Sequence, residues 1–183
     1  MLENQQPLGH ARRWLLFAGV GAAALALDLA SKQWAWDHLR PPPGRPLVLW
    51  PGVLELDFAY NQGTAFGIVD HVGRPWWLLI VAALVSVWLV WLVRAASTRR
   101  PGIVGAAMIL AGTLGNLHDR CFRADELGRP GVVDFIRVYL PWGDTGPWGG
   151  VWPSFNVADA LLVIGVALLL LWGTRAQSPA RPA

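Results

Sequence analysis

Four stretches of this 183-residue chain are apolar for about as long as a bilayer is thick, and that pattern constrains the fold more than any other feature. A helix needs about 20 mostly apolar residues to cross a hydrocarbon core of roughly 30 Å. Trp14–Trp36, Trp76–Val93, Pro101–Leu117 and Phe155–Trp172 meet or approach that length; the third is short and needs interfacial residues to about position 119. Hydrophobic residues make up 54% of the chain and charged ones 15%, and mean hydropathy is +0.39, well above ordinary soluble domains. The expected fold is an all-α membrane protein, a single domain over residues 1–183 with four transmembrane helices.

A net charge of +3 does not point to nucleic acid, because the basic residues form no single patch and sit largely beside apolar segments. Arg12 and Arg13 precede an apolar run containing Ala24 and Ala26, as in a secretory signal. The apolar character continues through Leu29, Trp34 and Trp36, which suits an uncleaved spanning helix better. Residues 1–13, 94–100 and 173–183 hold seven Lys or Arg in 31 positions, whereas segments 37–74 and 120–154 hold seven in 73. By the positive-inside rule this density puts both termini in the cytoplasm, with 174–183 a flexible tail. Trp34, Trp36, Trp76, Trp77 and Trp152 then lie near one interface, and Trp14, Trp91 and Trp172 near the other, as anchors. The single Cys121 excludes an intrachain disulfide and takes no role.

The polar residues gather on one side whichever way the chain is inserted. Asp28 and Lys32 end the first helix, Asn116, Asp119 and Arg120 end the third, and Asn156 and Asp159 begin the fourth. Counted from Trp14 at about 1.5 Å per residue, Asp28 lies roughly 21 Å into the bilayer, still within hydrocarbon. A charge there costs at least about 2.5 kcal/mol, so several at one level predict a shared polar cavity. Simple pairing is the plainer reading: Asp28 with Lys32 on one helix face, and Asp119 with Arg120 or Arg123.

Outside the helices, 37–74 opens on a Pro-rich stretch from Pro41 to Pro46. Leu54, Leu56, Phe58 and Tyr60 then alternate with Glu55, Asp57, Ala59 and Asn61, a period of two that predicts a half-buried strand in a small extracytoplasmic β platform. Residues 120–154 read as an irregular interfacial loop, crowded with Gly, Pro and Trp between Pro141 and Pro153, suited to a mobile lid.

His10, His38, His71 and His118 form no His-Glu-x-x-His run, so no metal is expected, and none of the five serines lies in a Gly-x-Ser-x-Gly turn. Aspartate remains. Two carboxyls held close share a proton, one activating water and the other protonating the departing amine, without a cofactor. Depth alone favours Asp119 with Asp159.

In order along the chain stand Asp28 with Lys32, Asn61-Gln62-Gly63-Thr64-Ala65-Phe66, Gly115-Asn116-Leu117-His118-Asp119-Arg120, Val132-Val133-Asp134-Phe135 and Phe155-Asn156-Val157-Ala158-Asp159. This set resembles lipoprotein signal peptidase, also called signal peptidase II, of aspartic peptidase family A8. The resemblance covers nearly the whole chain from the first helix to the fourth. It implies that Asp134 and Asp159 are the catalytic pair. It also implies that Asn61, Asn116, Arg120 and Asn156 line the site and hold substrate backbone, that Asp28, Lys32 and Asp119 support it, and that Gly63, Ala65 and Phe66 belong to the same substrate-binding set. The implied substrate is a bacterial prolipoprotein whose Cys carries diacylglycerol, cut on the amino side of that Cys at the outer face of the cytoplasmic (inner) membrane. Beyond substrate and membrane lipid, no obligate protein partner is implied. Departures from the family's usual pattern are the longer connection from Asp119 to Asp134, the extended loop before Phe155, and His118, which reads as a helix-end residue meeting solvent.

Two other classes fit part of the pattern. A small transporter or channel subunit would use Asp28, Asp119 and Asp159 to bind cations or relay protons, but would show polar residues along a path to the other face, and Trp76–Val93 has only Ser86. A structural subunit would need the Asp residues for folding and not for turnover.

Overall fold

The computed structural model describes residues 8–40, 45–62, 76–94, 99–140 and 150–172. Its elements run α1 (His10–His38), β1 (Leu47–Trp50), β2 (Leu54–Asn61), α2 (Trp76–Arg94), α3 (Arg100–Phe122), β3 (Val132–Val138) and α4 (Val157–Trp172). A helix stands in each of the four apolar stretches. The ends differ: α1 starts four residues earlier than hydropathy suggests, because polar His10, Arg12 and Arg13 still extend the helix, and α4 starts two residues later, at Val157. Pro101 sits in the first turn of α3, where its missing N–H costs nothing. Among the described residues α1 is the one helix long and apolar enough by itself to cross a bilayer, and Ile80–Arg94 and Val157–Leu171 are shorter apolar helices. Gly, Asn, His, Asp and Arg dilute the apolar character of α3.

α3 packs against all three other helices. Its contact with α4 is made by small residues two helical turns apart. A Cβ on Gly105 would lie 2.6 Å from the Gly165 oxygen, one on Gly165 would lie 2.7 Å from the Gly105 oxygen, and one on Gly112 would lie 2.6 Å from the Ala158 oxygen. Backbones this close gain dispersion contact along the whole crossing, and only glycine permits it. Ile103, Ala106 and Ala107 of α3 are fully buried with Leu89 and Val93 of α2 and with Phe17 of α1.

The polarity is inverted relative to a water-soluble bundle. Leu15, Leu84, Val87, Val163 and Leu170 face outward with 65–81% of their surface exposed, while Asp28, Lys32 and Asp119 have none exposed. An outer surface of this kind suits lipid.

The three strands form one antiparallel sheet in the order β1-β2-β3. The expected strand is present as β2, joined by two strands that the sequence reading did not anticipate. One of them, β3, corrects the view of 120–154 as irregular loop: Val132–Val138 pairs Asn61 with Val132, Tyr60 with Val133 and Ala59 with Asp134. Residues 41–44 of the Pro-rich stretch, 141–149 of the expected lid and the tail lie outside the described residues. Val133, Phe135, Leu56, Phe58 and Tyr60 pack on the end of α1, where Trp36 meets Phe58 and Tyr60 edge-on at 5.8 Å. All of β2 is half-buried, so no face is fully wet as the alternation suggested. Tyr139 donates to Glu55 Oε2 at 2.8 Å and Arg137 pairs with Asp57 at 2.5 Å, and these side chains cover the polar positions.

Candidate active site

The site lies where the ends of α1 and α3, the start of α4 and strand β3 converge. Asp28 and Lys32, one turn apart on α1, pair at 2.9 Å with both side chains fully buried. Lys32 Nζ also donates to Asn116 Oδ1 of α3 at 2.8 Å. The other Asp28 oxygen accepts the Ala158 N–H of α4 at 2.8 Å, in the first turn of a helix whose free N–H groups favour an anion. Gly115 is pressed against the Asp28 carboxyl with no room for a side chain. The simple pairing reading is therefore correct as far as it goes, and the pair also reaches across to two other helices.

Asp119 is buried and held on both oxygens. Oδ1 accepts from Arg123 Nε at 2.8 Å and Oδ2 accepts the Val133 N–H of β3 at 3.0 Å, with Lys32 Nζ 3.8 Å away. Among the described residues no hydrogen bond joins Asp119 to Asp159. Asp119 instead fixes β3 to α3 one residue before Asp134.

Asp134 and Asp159 meet through Asn156. The Asn156 amide donates to Asp134 Oδ1 at 2.7 Å, and its backbone N–H donates to Asp159 Oδ2 at 3.1 Å. Asp159 N–H donates back to Asn156 Oδ1 at 3.1 Å, so the pair closes a reciprocal cap on the first turn of α4. Asn116 donates to Asp159 Oδ1 at 2.9 Å, and Asn61, at the end of β2, donates to Asp134 Oδ2 at 3.1 Å. The strand reaches α4 because Phe155, one residue before Asn156, bonds to the outer edge of β3 at Phe135 and Ile136. Arg120 donates to the Asn116 backbone oxygen at 3.2 Å and lies within electrostatic reach of Asp134 and Asp159. Burial pushes the Asp134 carboxyl up to about 6; the neighbouring Asp159 charge adds to this and the Asn61 and Asn156 bonds oppose it.

Thus Asp28, Lys32, Asn61, Asn116, Asp119, Arg120, Asp134, Asn156 and Asp159 form one connected cluster. Gly63, Ala65 and Phe66 lie outside the described residues. Among the described residues no group of His, Cys, Asp and Glu is arranged to hold a metal. His118 is half-exposed, its ring 5.0 Å from Phe122. The sequence reading did not single out Val133, whose N–H matters and whose side chain does not, nor Asp125, whose place beside Gln62 has a local signal only in the turn-forming Gly128.

An apolar exterior around a buried carboxylate cluster fits a membrane enzyme. A family model described as Signal peptidase (SPase) II matches residues 20–175, and the chain belongs to that family. It is 38% identical over 167 residues to a lipoprotein signal peptidase of Rhodococcus jostii (strain RHA1), covering 91% of this chain and 75% of that one. It is 36% identical over 162 residues to that of Chlorobium phaeobacteroides (strain BS1), covering 87% and 96%. A solved structure described as a bacterial membrane enzyme superposes with a TM-score of 0.67 at 26% identity, covering 91% of this chain and 89% of that one.

Proposed function

We propose that this chain, a signal peptidase II that removes signal peptides from prolipoproteins, does so as an aspartic endopeptidase with Asp134 and Asp159 as its catalytic pair. The observation that carries the assignment is the double contact of Asn156, which ties both carboxyls to one residue. Asp134, whose raised proton affinity keeps it protonated to higher pH than an exposed carboxyl, starts as the acid. Asp159 takes a proton from water, and the hydroxide adds to the scissile carbonyl carbon. Asp134 then gives its proton to the departing amine as the C–N bond breaks, and the pair exchanges roles. Asn61, Asn116, Arg120 and Asn156 offer amide and guanidinium donors to peptide groups that lipid leaves unsatisfied.

The chain is a single membrane domain in which α1 to α4 all cross the cytoplasmic membrane, both termini are cytoplasmic and the site opens at the outer face. The outward Leu and Val side chains and the loop charge distribution support this topology. A site at that level suits a substrate whose Cys carries diacylglycerol, cut on the amino side of that Cys. The transporter reading is not favoured, since the chain belongs to a peptidase family. Purified protein in detergent should cleave a diacylglyceryl-modified prolipoprotein, and Asp134→Asn and Asp159→Asn should each abolish cleavage while remaining folded. An active Asp134→Asn or Asp159→Asn variant overturns the pair.

A further inference from the structure

The middle of the connection from Asp119 to Asp134 is a built turn. Asp125 Oδ1 accepts the N–H groups of Leu127 at 3.0 Å and Arg129 at 2.8 Å, while Arg129 Nε reaches Oδ2 at 2.8 Å. Ala124 bridges Pro130, and Gly128 takes a positive φ of 74° that closes the turn. Against the cost of burial, the bonds from Arg129 and Leu127 hold the Asp125 carboxyl below the usual range. This turn grips the end of β2 in three places. Gln62 Nε2 donates to Asp125 Oδ2 at 2.5 Å, and the Tyr60 hydroxyl donates to the Arg129 backbone oxygen at 3.4 Å. Gly131 lies so close under the strand that a Cβ there would be 2.9 Å from the Asn61 oxygen. Asn61, between the gripped residues, is the one that donates to Asp134.

We infer that the turn around Asp125 is a clasp on Gln62 that positions Asn61 against Asp134, making Gln62 and Asp125 positioning residues for the reaction. The inference rests on Asp134 being catalytic. Neither residue touches Asp134, so both act through Asn61. A contact that steers a catalytic group by a fraction of an ångström shows in turnover more than in substrate binding.

The test is steady-state cleavage of a diacylglyceryl-modified prolipoprotein by the full chain in detergent. Gln62→Ala and Asp125→Ala are made alone and in an Asn61→Ala background, with Asp134→Asn as reference. Gln62→Ala is expected to lower kcat on the order of tenfold with KM changed less than about twofold. In the Asn61→Ala background it should do nothing further. Gln62 is exposed, so its replacement tests the clasp even if Asp125→Ala fails to fold. Native kcat in Gln62→Ala while Asp134→Asn is inactive overturns the clasp and leaves the catalytic pair standing. An equal loss with and without Asn61 also overturns it. An active Asp134→Asn overturns the pair and the clasp with it.

Discussion

Asp28 accepts the backbone N–H of Ala158 at 2.8 Å, so a side chain of the first helix caps the last one a single residue before Asp159. The position of Asp159 is therefore set from α1 as well as from its own helix. Asp28→Ala removes this cap and strands Lys32 without its nearest counter-ion in a fully buried place. The expected loss is about 3–5 kcal/mol, read as a lowered thermal midpoint in detergent, with activity falling in parallel.

Asn156→Ala separates stability from chemistry in a different way. Loss of the Asn156 Oδ1 cap on the Asp159 N–H costs about 1 kcal/mol, while the backbone N–H to Asp159 Oδ2 is kept. Loss of the amide to Asp134 should lower kcat by about a hundredfold or more. A variant with native kcat would show that the bridge between the carboxyls is dispensable.

The pH dependence follows from Asp134. Its proton affinity in the folded protein lies above that of a free carboxyl, at about 6. As the acid it is active below that value, so kcat/KM should fall as pH rises through about 6, with the apparent value belonging to the pair. Asn61→Ala removes a bond that favours the ionised form and should move this limb to higher pH. The linked stability has the same sign: the folded chain binds this proton more tightly than the unfolded one, so the group favours the folded state more as pH falls from about 6 toward 4. A limb that stays in place in Asn61→Ala would remove Asp134 as its source.

Gly112→Val tests the helix crossing. A Cβ at 2.6 Å from the Ala158 oxygen cannot be accommodated without moving α4, whose first turn carries Asp159. Destabilisation of about 1–3 kcal/mol and a disproportionate loss of kcat are expected. Gly19→Ala, with open space around it, should be silent in the same two assays.

The helices were legible because each announces itself through a local run of apolar residues, and the Asp28, Asn116 and Asp159 level followed from helix alternation. β2 was legible from its period of two. β1 was not, because Leu47–Trp50 is apolar throughout and alternates nothing. β3 was not, because its pairing partner lies some 70 residues away and its edge partner, Phe155, across a long connection. For the same reason depth singled out Asp119, which proves to be held by Arg123 and Val133, while the family resemblance pointed to Asp134. Helix periodicity locates a carboxyl along the membrane normal and says nothing of a strand folded back beneath it.

The Asp28 and Lys32 pair sits within one helix, four residues apart, and this bears on how the polar centre is balanced. Because the two charges cancel along a single rod, α1 carries almost no net charge over its apolar length, whatever stands beside it. α3 and α4 add Asn116 and the Ala158 N–H to groups that already have one partner. Separating the charges between two helices would leave each buried charge dependent on the other helix for its counter-ion.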